Sequence, residues 1–207
     1  MIFSMIAVLD YGIGNLASAQ KALVAAGGDA QLVTHPDQAR HAHAVVLPGV
    51  GAFGSCMTAL RDSGLDAVVL DAIERGMPFL GICVGMQMLY EASEETPGVP
   101  GLGVLPGNIV RMTGEVKLPQ MQWNKLEVRK PSSLFDGLPE ESWFYFVHSF
   151  AAENTDDVLA TCEYGSAVTA VAGRDNIVAT QFHPEKSSKA GLHLLRNFVD
   201  SAARAAA

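Results

Sequence analysis

One cysteine stands in a sequence pattern that makes it a candidate nucleophile. The segment Gly81-Ile82-Cys83-Val84-Gly85 follows an apolar run and precedes apolar residues at helical spacing. It is the thiol counterpart of G-x-S-x-G, in which a sharp strand-to-helix turn lifts the nucleophile above the edge of a sheet. Glycines flank such a turn because larger side chains would collide there. The predicted helix start favours the thiolate of Cys83, and the Val84 N–H could donate to an oxyanion.

A second segment, near the end of the chain, supplies a base and a partner for it. Residues 177–182 predict a strand that runs into His183-Pro184-Glu185. Proline disfavours helical backbone at His183, and residues i and i+2 of an extended segment share a face, so Glu185 should lie beside the imidazole. A cysteine nucleophile needs a base, and the base needs an orienting acceptor. Cys83, His183 and Glu185 are therefore a candidate triad, although a lone His-Pro-Glu is more often a surface turn.

A glycine-rich segment after another apolar run offers further hydrogen-bond donors. It reads Pro48-Gly49-Val50-Gly51 and follows the predicted strand at residues 44–47. Its amides could complete an oxyanion hole with the Val84 amide, and a purely structural loop is the alternative. Gln87, four residues after Cys83, should lie on the same helix face, where it could bind a polar substrate.

Two other patterns predict less. Residues 12–17 match the G-x-G-x-x-A pattern of dinucleotide sites, but residues 31–35 hold no carboxylate for a ribose, so a tight turn is the alternative. His41 and His43 have the spacing of a strand-borne metal pair, but no third ligand accompanies them. We interpret them as surface residues.

Composition and charge exclude several classes of protein. With 49% hydrophobic and 17% charged residues, the 207-residue chain can bury a large core. Its net charge of −8 argues against nucleic acid and anionic membranes as partners. No apolar run approaches a membrane span, and the apolar start (residues 1–9) lacks the basic region of a signal peptide. Three cysteines without metal spacing indicate a reduced, cytoplasmic protein, in which Cys56 and Cys162 are buried small residues.

The elements that must position these residues alternate between strands and helices in the first half. Continuous apolar strands in this rhythm predict an α/β fold with a mostly parallel central sheet, flanking helices and a site at the carboxyl ends of the strands. From about residue 97, Gly, Pro and β-branched residues predict an antiparallel strand extension. These later strands are expected at residues 108–112, 121–128, 143–150, 158–162 and 167–172.

The chain is expected to end in a helix and to form one domain. The helical pattern covers residues 189–199 and is followed by an Ala-rich tail that should fray. No internal repeat or linker interrupts the sequence. We therefore predict a single domain over residues 1–207.

Three of these segments together resemble the signatures of the triad (class I) glutamine amidotransferases. They are Pro48-Gly49-Val50-Gly51, Gly81-Ile82-Cys83-Val84-Gly85-Met86-Gln87 and Gln181-Phe182-His183-Pro184-Glu185. The resemblance covers essentially the whole chain and implies the flavodoxin-like fold of that family, a glutaminase activity on L-glutamine, and no metal or organic cofactor. It implies that Cys83 attacks the carboxamide, that His183 moves the thiol proton to departing ammonia, and that Glu185 orients the imidazole.

The same resemblance implies roles for the surrounding residues. The amides of Val50, Gly51 and Val84 would form the oxyanion hole. Glutamine would be bound by four further residues, namely Gly49, Gln87, Ser149 and Phe150. His148, which precedes Ser149, could line the site or simply lie in a strand.

Other segments are similar to the glutaminase subunits of imidazole glycerol phosphate synthases. They are Asp10-Tyr11-Gly12-Ile13-Gly14-Asn15-Leu16, Met121-Gln122-Trp123-Asn124, Tyr145-Phe146-Val147-His148-Ser149-Phe150 and Glu185-Lys186-Ser187. The similarity implies a heterodimer in which ammonia passes to a (β/α)8-barrel cyclase that makes imidazole glycerol phosphate and aminoimidazole carboxamide ribotide for histidine and purine synthesis. It places Asn15, Trp123 and Lys186 near that partner, with a packed Trp123 and a solvated Lys186 as alternatives.

Three residues depart from the family pattern, and three other functions stay open. Val84 replaces Leu, Phe150 replaces Tyr, and Gln122 replaces a Gly whose positive φ, if present, would require a different local shape here. The same chemistry could serve a pyridoxal phosphate or anthranilate synthase, against which residues 10–15 and 123–124 argue. A cysteine peptidase or chaperone-like protein would not need Gln87 or His-Pro-Glu. A non-catalytic regulatory module is disfavoured by the intact triad.

Overall fold

The computed structural model describes residues 5–206. Residues 1–4, part of the apolar start, and residue 207, the end of the Ala-rich tail, lie outside the described residues. The strands are β1 (Met5–Leu9), β2 (Asp29–Val33), β3 (Ala44–Gly49), β4 (Phe79–Cys83), β5 (Ala92–Ser93), β6 (Asn108–Arg111), β7 (Gln120–Lys125), β8 (Glu127–Val128), β9 (Trp143–His148), β10 (Phe150–Ala152), β11 (Val158–Glu163), β12 (Ala167–Arg174) and β13 (Ile177–Thr180). The helices are α1 (Leu16–Ala25), α2 (Phe53–Asp62), α3 (Leu65–Glu74), α4 (Val84–Gln87) and α5 (Ser188–Ala205), with 3-10 turns at Pro36–Ala39, Ser133–Phe135 and Pro184–Lys186.

The central sheet has eight strands in the order β2-β1-β3-β4-β13-β12-β11-β8. The first five are parallel to their neighbours, and β12, β11 and β8 add antiparallel pairs. Every residue of β3 and β4 is buried, as expected for strands covered on both faces. This confirms the predicted mostly parallel sheet with flanking helices.

The helices cover both faces because the chain winds in two directions from β1 and β3. The crossover through α1 leads from β1 outward to β2, whereas α2 and α3 lead from β3 to β4 on the other side. Right-handed crossovers in opposite directions place their helices on opposite faces. The amphipathic helix α5 packs beside α1 and buries Leu194, Leu195 and Phe198. Consequently β3, β4 and β13 present their carboxyl ends side by side at one edge.

Several predicted boundaries were wrong. A helix that the sequence analysis did not predict follows the glycine-rich segment, because α2 begins at Phe53 and buries Cys56, Met57 and Leu60 at helical spacing. The Ala-rich tail continues α5 to Ala205 rather than fraying after residue 199. The helix expected after Cys83 is only the single turn α4.

The antiparallel part is more divided than predicted. Residues 143–150 split at Ser149 into β9 and β10. Strands β7 and β9 form a separate two-stranded sheet, and β10, β6 and β5 form a three-stranded one. Gln122, where a different local shape was expected if the replaced glycine had positive φ, lies in regular β7 opposite Phe146 and is not among the described residues with positive φ. A side chain is therefore tolerated there.

Candidate active site

Cys83 lies in a strained turn between β4 and α4. Its φ is 56° and its ψ is −112°, a conformation that non-glycine residues rarely adopt. A Cβ on Gly85 would lie 1.8 Å from the Leu47 carbonyl oxygen, and a Cβ on Gly81 would lie 3.1 Å from that of Gly85. Gly85 is thus required by close packing against β3 and Gly81 by close packing within the turn itself. Cys83 lines a cleft.

His183 and Glu185 meet just beyond the neighbouring strand β13. His183 Nδ1 lies 2.8 Å from Glu185 Oε1, and both side chains are buried. The contact does not arise from a shared face of one extended segment, as the sequence analysis assumed. His183 is extended, but the chain then enters a 3-10 turn at Pro184–Lys186, which brings the carboxylate back to the ring. The segment is fixed because the His183 N–H donates to the Tyr145 carbonyl oxygen at 3.0 Å.

The surroundings of His183 favour its protonated form. Burial lowers the pKa of His183, but hydrogen bonds with Cys83 and Glu185 and their charges outweigh burial and raise the pKa to about 9. Since Nδ1 faces Glu185, the other ring nitrogen, Nε2, is the one left to face Cys83. The arrangement can therefore hold the thiol proton on His183 while the sulfur acts as a nucleophile.

The predicted oxyanion residues line the same cleft. Gly49 is the register partner of Cys83 across β3 and β4, and a Cβ on it would lie 2.8 Å from the Gly85 nitrogen. Gly51 has a φ of +96°, which glycine adopts without strain. Val50, Gly51 and Val84 are all lining residues. All three residues thus lie at the same cleft as Cys83.

Gln87 belongs to a buried amide network behind the nucleophile. Gln87 Nε2 donates to Gln181 Oε1 at 3.1 Å and to the Phe150 carbonyl oxygen at 3.0 Å. Gln181 Nε2 in turn lies 3.9 Å from Cys83 Sγ. The side-chain nitrogen of Gln87 is therefore engaged within the protein. Gln87 can contribute directly to substrate binding only through its side-chain oxygen.

The segment before β10 contributes backbone groups and a neutral histidine. The Ser149 carbonyl oxygen accepts from the Met112 N–H at 3.0 Å, and that of Phe150 accepts from Gln87 and from His148 Nδ1, the latter at 2.9 Å. Burial lowers the pKa of His148 to about 4, so its ring is neutral at physiological pH. His148 lines the cleft from within β9.

Glu95 is a cleft residue that the sequence analysis missed. Its Oε2 accepts from the Phe53 N–H at 2.7 Å, at the start of α2. Glu95 follows Glu91 and Glu94, and such an acidic run reads as a solvated turn. No spacing rule connects it with Cys83, because the turn that carries it returns to the cleft only through tertiary packing.

The cleft has a volume of about 320 Å³. Its lining residues are Asn15, Val50, Gly51, Cys83, Val84, Gln87, Glu95, Val147, His148, Ser149, Phe150, His183 and Lys186. Among the predicted partner-facing residues, Asn15 and Lys186 therefore lie at this cleft. Trp123 does not line it; its side chain is 46% exposed and its ring centroid lies 5.9 Å from that of Tyr145.

The weaker sequence patterns show neither a dinucleotide site nor a metal site, although Asn15 of the first pattern lines the cleft. Gly12 and Gly14 have positive φ in a tight turn that leads into α1. His41 is exposed, and His43 is half-buried at the start of β3. Between residues 5 and 206, no group of three or more His, Cys, Asp or Glu side chains is placed to hold a metal ion. Cys56 and Cys162 are buried free thiols, as predicted. Within the same range no helix is long and apolar enough to span a bilayer.

Comparison with known families decides the relationship. The family described as glutamine amidotransferase class-I matches residues 7–202. The chain belongs to the class-I glutamine amidotransferases.

Relatives of this amidotransferase share one name. The "Imidazole glycerol phosphate synthase subunit HisH" of Methanothermobacter thermautotrophicus is 50% identical over 197 residues, covering 95% of this chain and 98% of the relative. The protein of the same name from Synechococcus sp. (strain JA-3-3Ab) is 48% identical over 206 residues, covering 96% and 94%. A crystal structure of a glutamine amidotransferase superposes with a TM-score of 0.76 at 24% identity, covering 96% of this chain and 98% of the other, which supports the amidotransferase fold.

Proposed function

We propose that this class-I glutamine amidotransferase hydrolyses L-glutamine to L-glutamate and ammonia as the glutaminase subunit of an imidazole glycerol phosphate synthase. The observation that carries the proposal is that His183 contacts both Cys83 and Glu185 beside a cleft large enough for one amino acid. The relatives named as subunits of that synthase support the choice of pathway, histidine biosynthesis.

The reaction proceeds through a covalent intermediate. Cys83 Sγ attacks the carboxamide carbon, and His183 carries the thiol proton. His183 then gives this proton to the departing nitrogen, so that ammonia leaves and a γ-glutamyl thioester remains. A water molecule next loses a proton to His183 and adds to the thioester carbon. The C–S bond breaks, glutamate leaves, and the proton returns to Cys83. Glu185 holds the ring in the orientation that both transfers need.

Negative charge on the carboxamide oxygen develops twice, once in each half of the reaction. The amides of Val84, Val50 and Gly51 would stabilise this charge, and the position of all three residues at the cleft of Cys83 supports that role. Gly49 has no side chain, which allows β3 to approach the Cys83 turn so closely. Backbone donors in a buried cleft are effective here because they need no reorganisation during the reaction.

The two charged ends of glutamine require opposite partners. Glu95 supplies a carboxylate for the α-ammonium group, and Lys186 supplies a cation for the α-carboxylate. The carbonyl oxygens of Ser149 and Phe150 already accept hydrogen bonds, so this segment would offer the substrate N–H groups or the Ser149 hydroxyl. Glutamine would thus be recognised along its whole length.

Ammonia needs an acceptor subunit. We expect a heterodimer with a (β/α)8-barrel cyclase docked over Asn15, Lys186 and Trp123, so that ammonia passes directly into the barrel. The name shared by the relatives, which marks each as one subunit of a synthase, supports this expectation. A cytoplasmic location and a single domain over residues 1–207 stay predictions.

The test measures glutamate released from glutamine by the chain alone and mixed with the barrel cyclase and its ribotide ligand. Activity that rises on mixing and is lost in Cys83→Ala supports the whole proposal. Activity that does not respond to this cyclase keeps the glutaminase chemistry but points to another synthase. Wild-type turnover in Cys83→Ala would contradict the mechanism.

A further inference from the structure

Two buried titratable side chains that the mechanism does not use lie beneath the oxyanion loop (residues 48–51). We propose that Cys56 and Tyr11 are positioning residues that set the orientation of the oxyanion-loop peptide groups, so that the Gly51 N–H faces the cleft. The inference rests on the proposed function, because it concerns how the same site stabilises its oxyanion.

Each side chain holds one carbonyl group of the loop. Tyr11 Oη donates to the Pro48 carbonyl oxygen at 2.7 Å, and Cys56 Sγ donates to the Val50 carbonyl oxygen at 3.3 Å. Tyr11 follows β1, and Cys56 lies in the first turn of α2, so the loop is held from two different elements. Both side chains are buried. Water therefore does not substitute for them at these carbonyls.

Because the peptide group is planar, a hydrogen bond that fixes a carbonyl group also fixes the direction of the next N–H group. In a planar trans peptide the C=O of one residue and the N–H of the next point in opposite directions. The Val50 C=O points to Cys56 in the core, so the Gly51 N–H points away from the core. Gly51 lines the cleft together with Cys83. The Cys56 bond thus selects the orientation that offers a donor to the oxyanion.

The loop needs such anchors because its sequence does not fix it. Val50 has a glycine on each side, and glycine reaches both signs of φ at little cost. Rotation of the peptide between Val50 and Gly51 changes φ of Gly51, which meets no steric penalty there because it has no Cβ. One hydrogen bond to the Val50 carbonyl oxygen therefore biases the equilibrium between the two orientations.

Both anchors carry a proton at physiological pH. Burial raises the pKa of Cys56 to about 11 and holds the pKa of Tyr11 well above its usual range. A protonated thiol and a protonated phenol are both donors. Each can therefore serve a carbonyl oxygen, which accepts only.

The experiment compares Cys56→Ala with Cys56→Ser and Tyr11→Phe in the complex with the cyclase. We expect Cys56→Ala to lower kcat for glutamine by about 10-fold to 100-fold with little change in KM, since a misdirected oxyanion donor affects the transition state. Cys56→Ser keeps a donor and should recover most of the loss. Tyr11→Phe should act in the same direction as Cys56→Ala. The rate of Cys83 alkylation by iodoacetamide, which forms no oxyanion, should be unchanged in all three.

The matched control is Cys162→Ala, which removes an equally buried thiol from β11, away from the cleft. It should leave kcat unchanged. The inference is overturned if Cys56→Ala has wild-type kcat, or if Cys56→Ser loses as much kcat as Cys56→Ala. In either case the proposed function stands as long as the wild-type protein releases glutamate. Equal losses in kcat and in Cys83 alkylation would also overturn it, because they indicate a general disturbance. A wild-type protein that releases no glutamate contradicts the proposed function itself.

Discussion

Gln181 Nε2 lies 3.9 Å from Cys83 Sγ across a sequence separation of 98 residues. The carbonyl end of the Gln181 amide accepts from Gln87 Nε2, which fixes its NH2 end toward the sulfur. Gln181 is fully buried, so water cannot take its place. An N–H donor stabilises a negatively charged sulfur more than a neutral thiol. The amide network therefore supports the reactive form of the nucleophile.

Gln181→Met should slow the alkylation of Cys83. Methionine preserves the length and burial of the side chain but has no N–H to donate. We expect a lower iodoacetamide rate at Cys83 than in the wild type at one fixed pH, measured by mass spectrometry of the labelled peptide. The control is Gln120→Met, which should leave this rate unchanged, because Gln120 is equally buried and donates to Cys162 Sγ at 3.8 Å. Equal rates for the wild type and Gln181→Met would refute the support described above.

Glu185→Gln should change the pH range in which the enzyme works. The raised pKa of His183, about 9, keeps the imidazolium until that pH, so activity should fall as the pH rises through about 9 and the proton for ammonia is lost. Glutamine keeps an acceptor oxygen for His183 Nδ1 but removes the negative charge that helps to raise this pKa. The alkaline limb should therefore move to lower pH, with kcat reduced by about 100-fold to 10,000-fold.

The measurement combines pH–rate profiles with the NMR titration of the His183 ring. His148, whose pKa is lowered to about 4, serves as an internal reference that Glu185→Gln should not move upward. An alkaline limb that stays at the same pH in the variant would contradict the assigned role of Glu185.

Gly85→Ala should destabilise the fold rather than the chemistry alone. The added Cβ would lie 1.8 Å from the Leu47 carbonyl oxygen, so β3 and the Cys83 turn must separate. We expect a loss of about 3 kcal/mol or more in the free energy of unfolding, measured by urea denaturation. Gly98→Ala is the control, since Gly98 has positive φ but no atom within 4 Å of the added Cβ. A Gly85→Ala protein no less stable than Gly98→Ala would contradict the packing requirement at Gly85.

Trp123→Ala should weaken association with the cyclase while glutamine binding at the cleft is retained. Trp123 is half-exposed and lies outside the cleft, and large aromatic residues commonly dominate interface energies. We expect the Kd to rise at least about tenfold in a titration calorimetry experiment. Leu70→Ala removes a similarly exposed apolar side chain from α3 and should leave the Kd unchanged. A Trp123→Ala protein with wild-type affinity would place the interface elsewhere.

The candidate triad was accessible from the sequence because its members stand in local patterns. Cys83 lies between two glycines after an apolar strand, and Pro184 marks where the last parallel strand ends. Parallel strands bring their carboxyl ends together, so two local patterns suffice to place distant residues at one edge. The family match confirmed the family, and the observed strand order confirmed the mostly parallel sheet. The catalytic roles stay predictions.

Other parts of the site depend on tertiary packing that no local pattern encodes. Glu95 reaches the cleft by bonding the N-terminus of α2, and the Gln87–Gln181 pair joins elements 94 residues apart. The helix α2 was missed because Gly51 and Gly54 dominate its start, although its apolar residues repeat at helical spacing. Gly51 is present because the turn before the helix has positive φ, and Gly54 is present because its Cα side packs against Thr96. Neither glycine indicates that a helix is absent.

The order of strands also governs when the protein can become active during its synthesis. Strand β13, which carries His183 and Glu185 just beyond it, inserts between β4 and β12 near the end of the chain. A nascent chain on the ribosome therefore exposes Cys83 without a base until almost all of the sequence has emerged. In the proposed mechanism, glutamine is therefore cleaved only after β13 has joined the sheet.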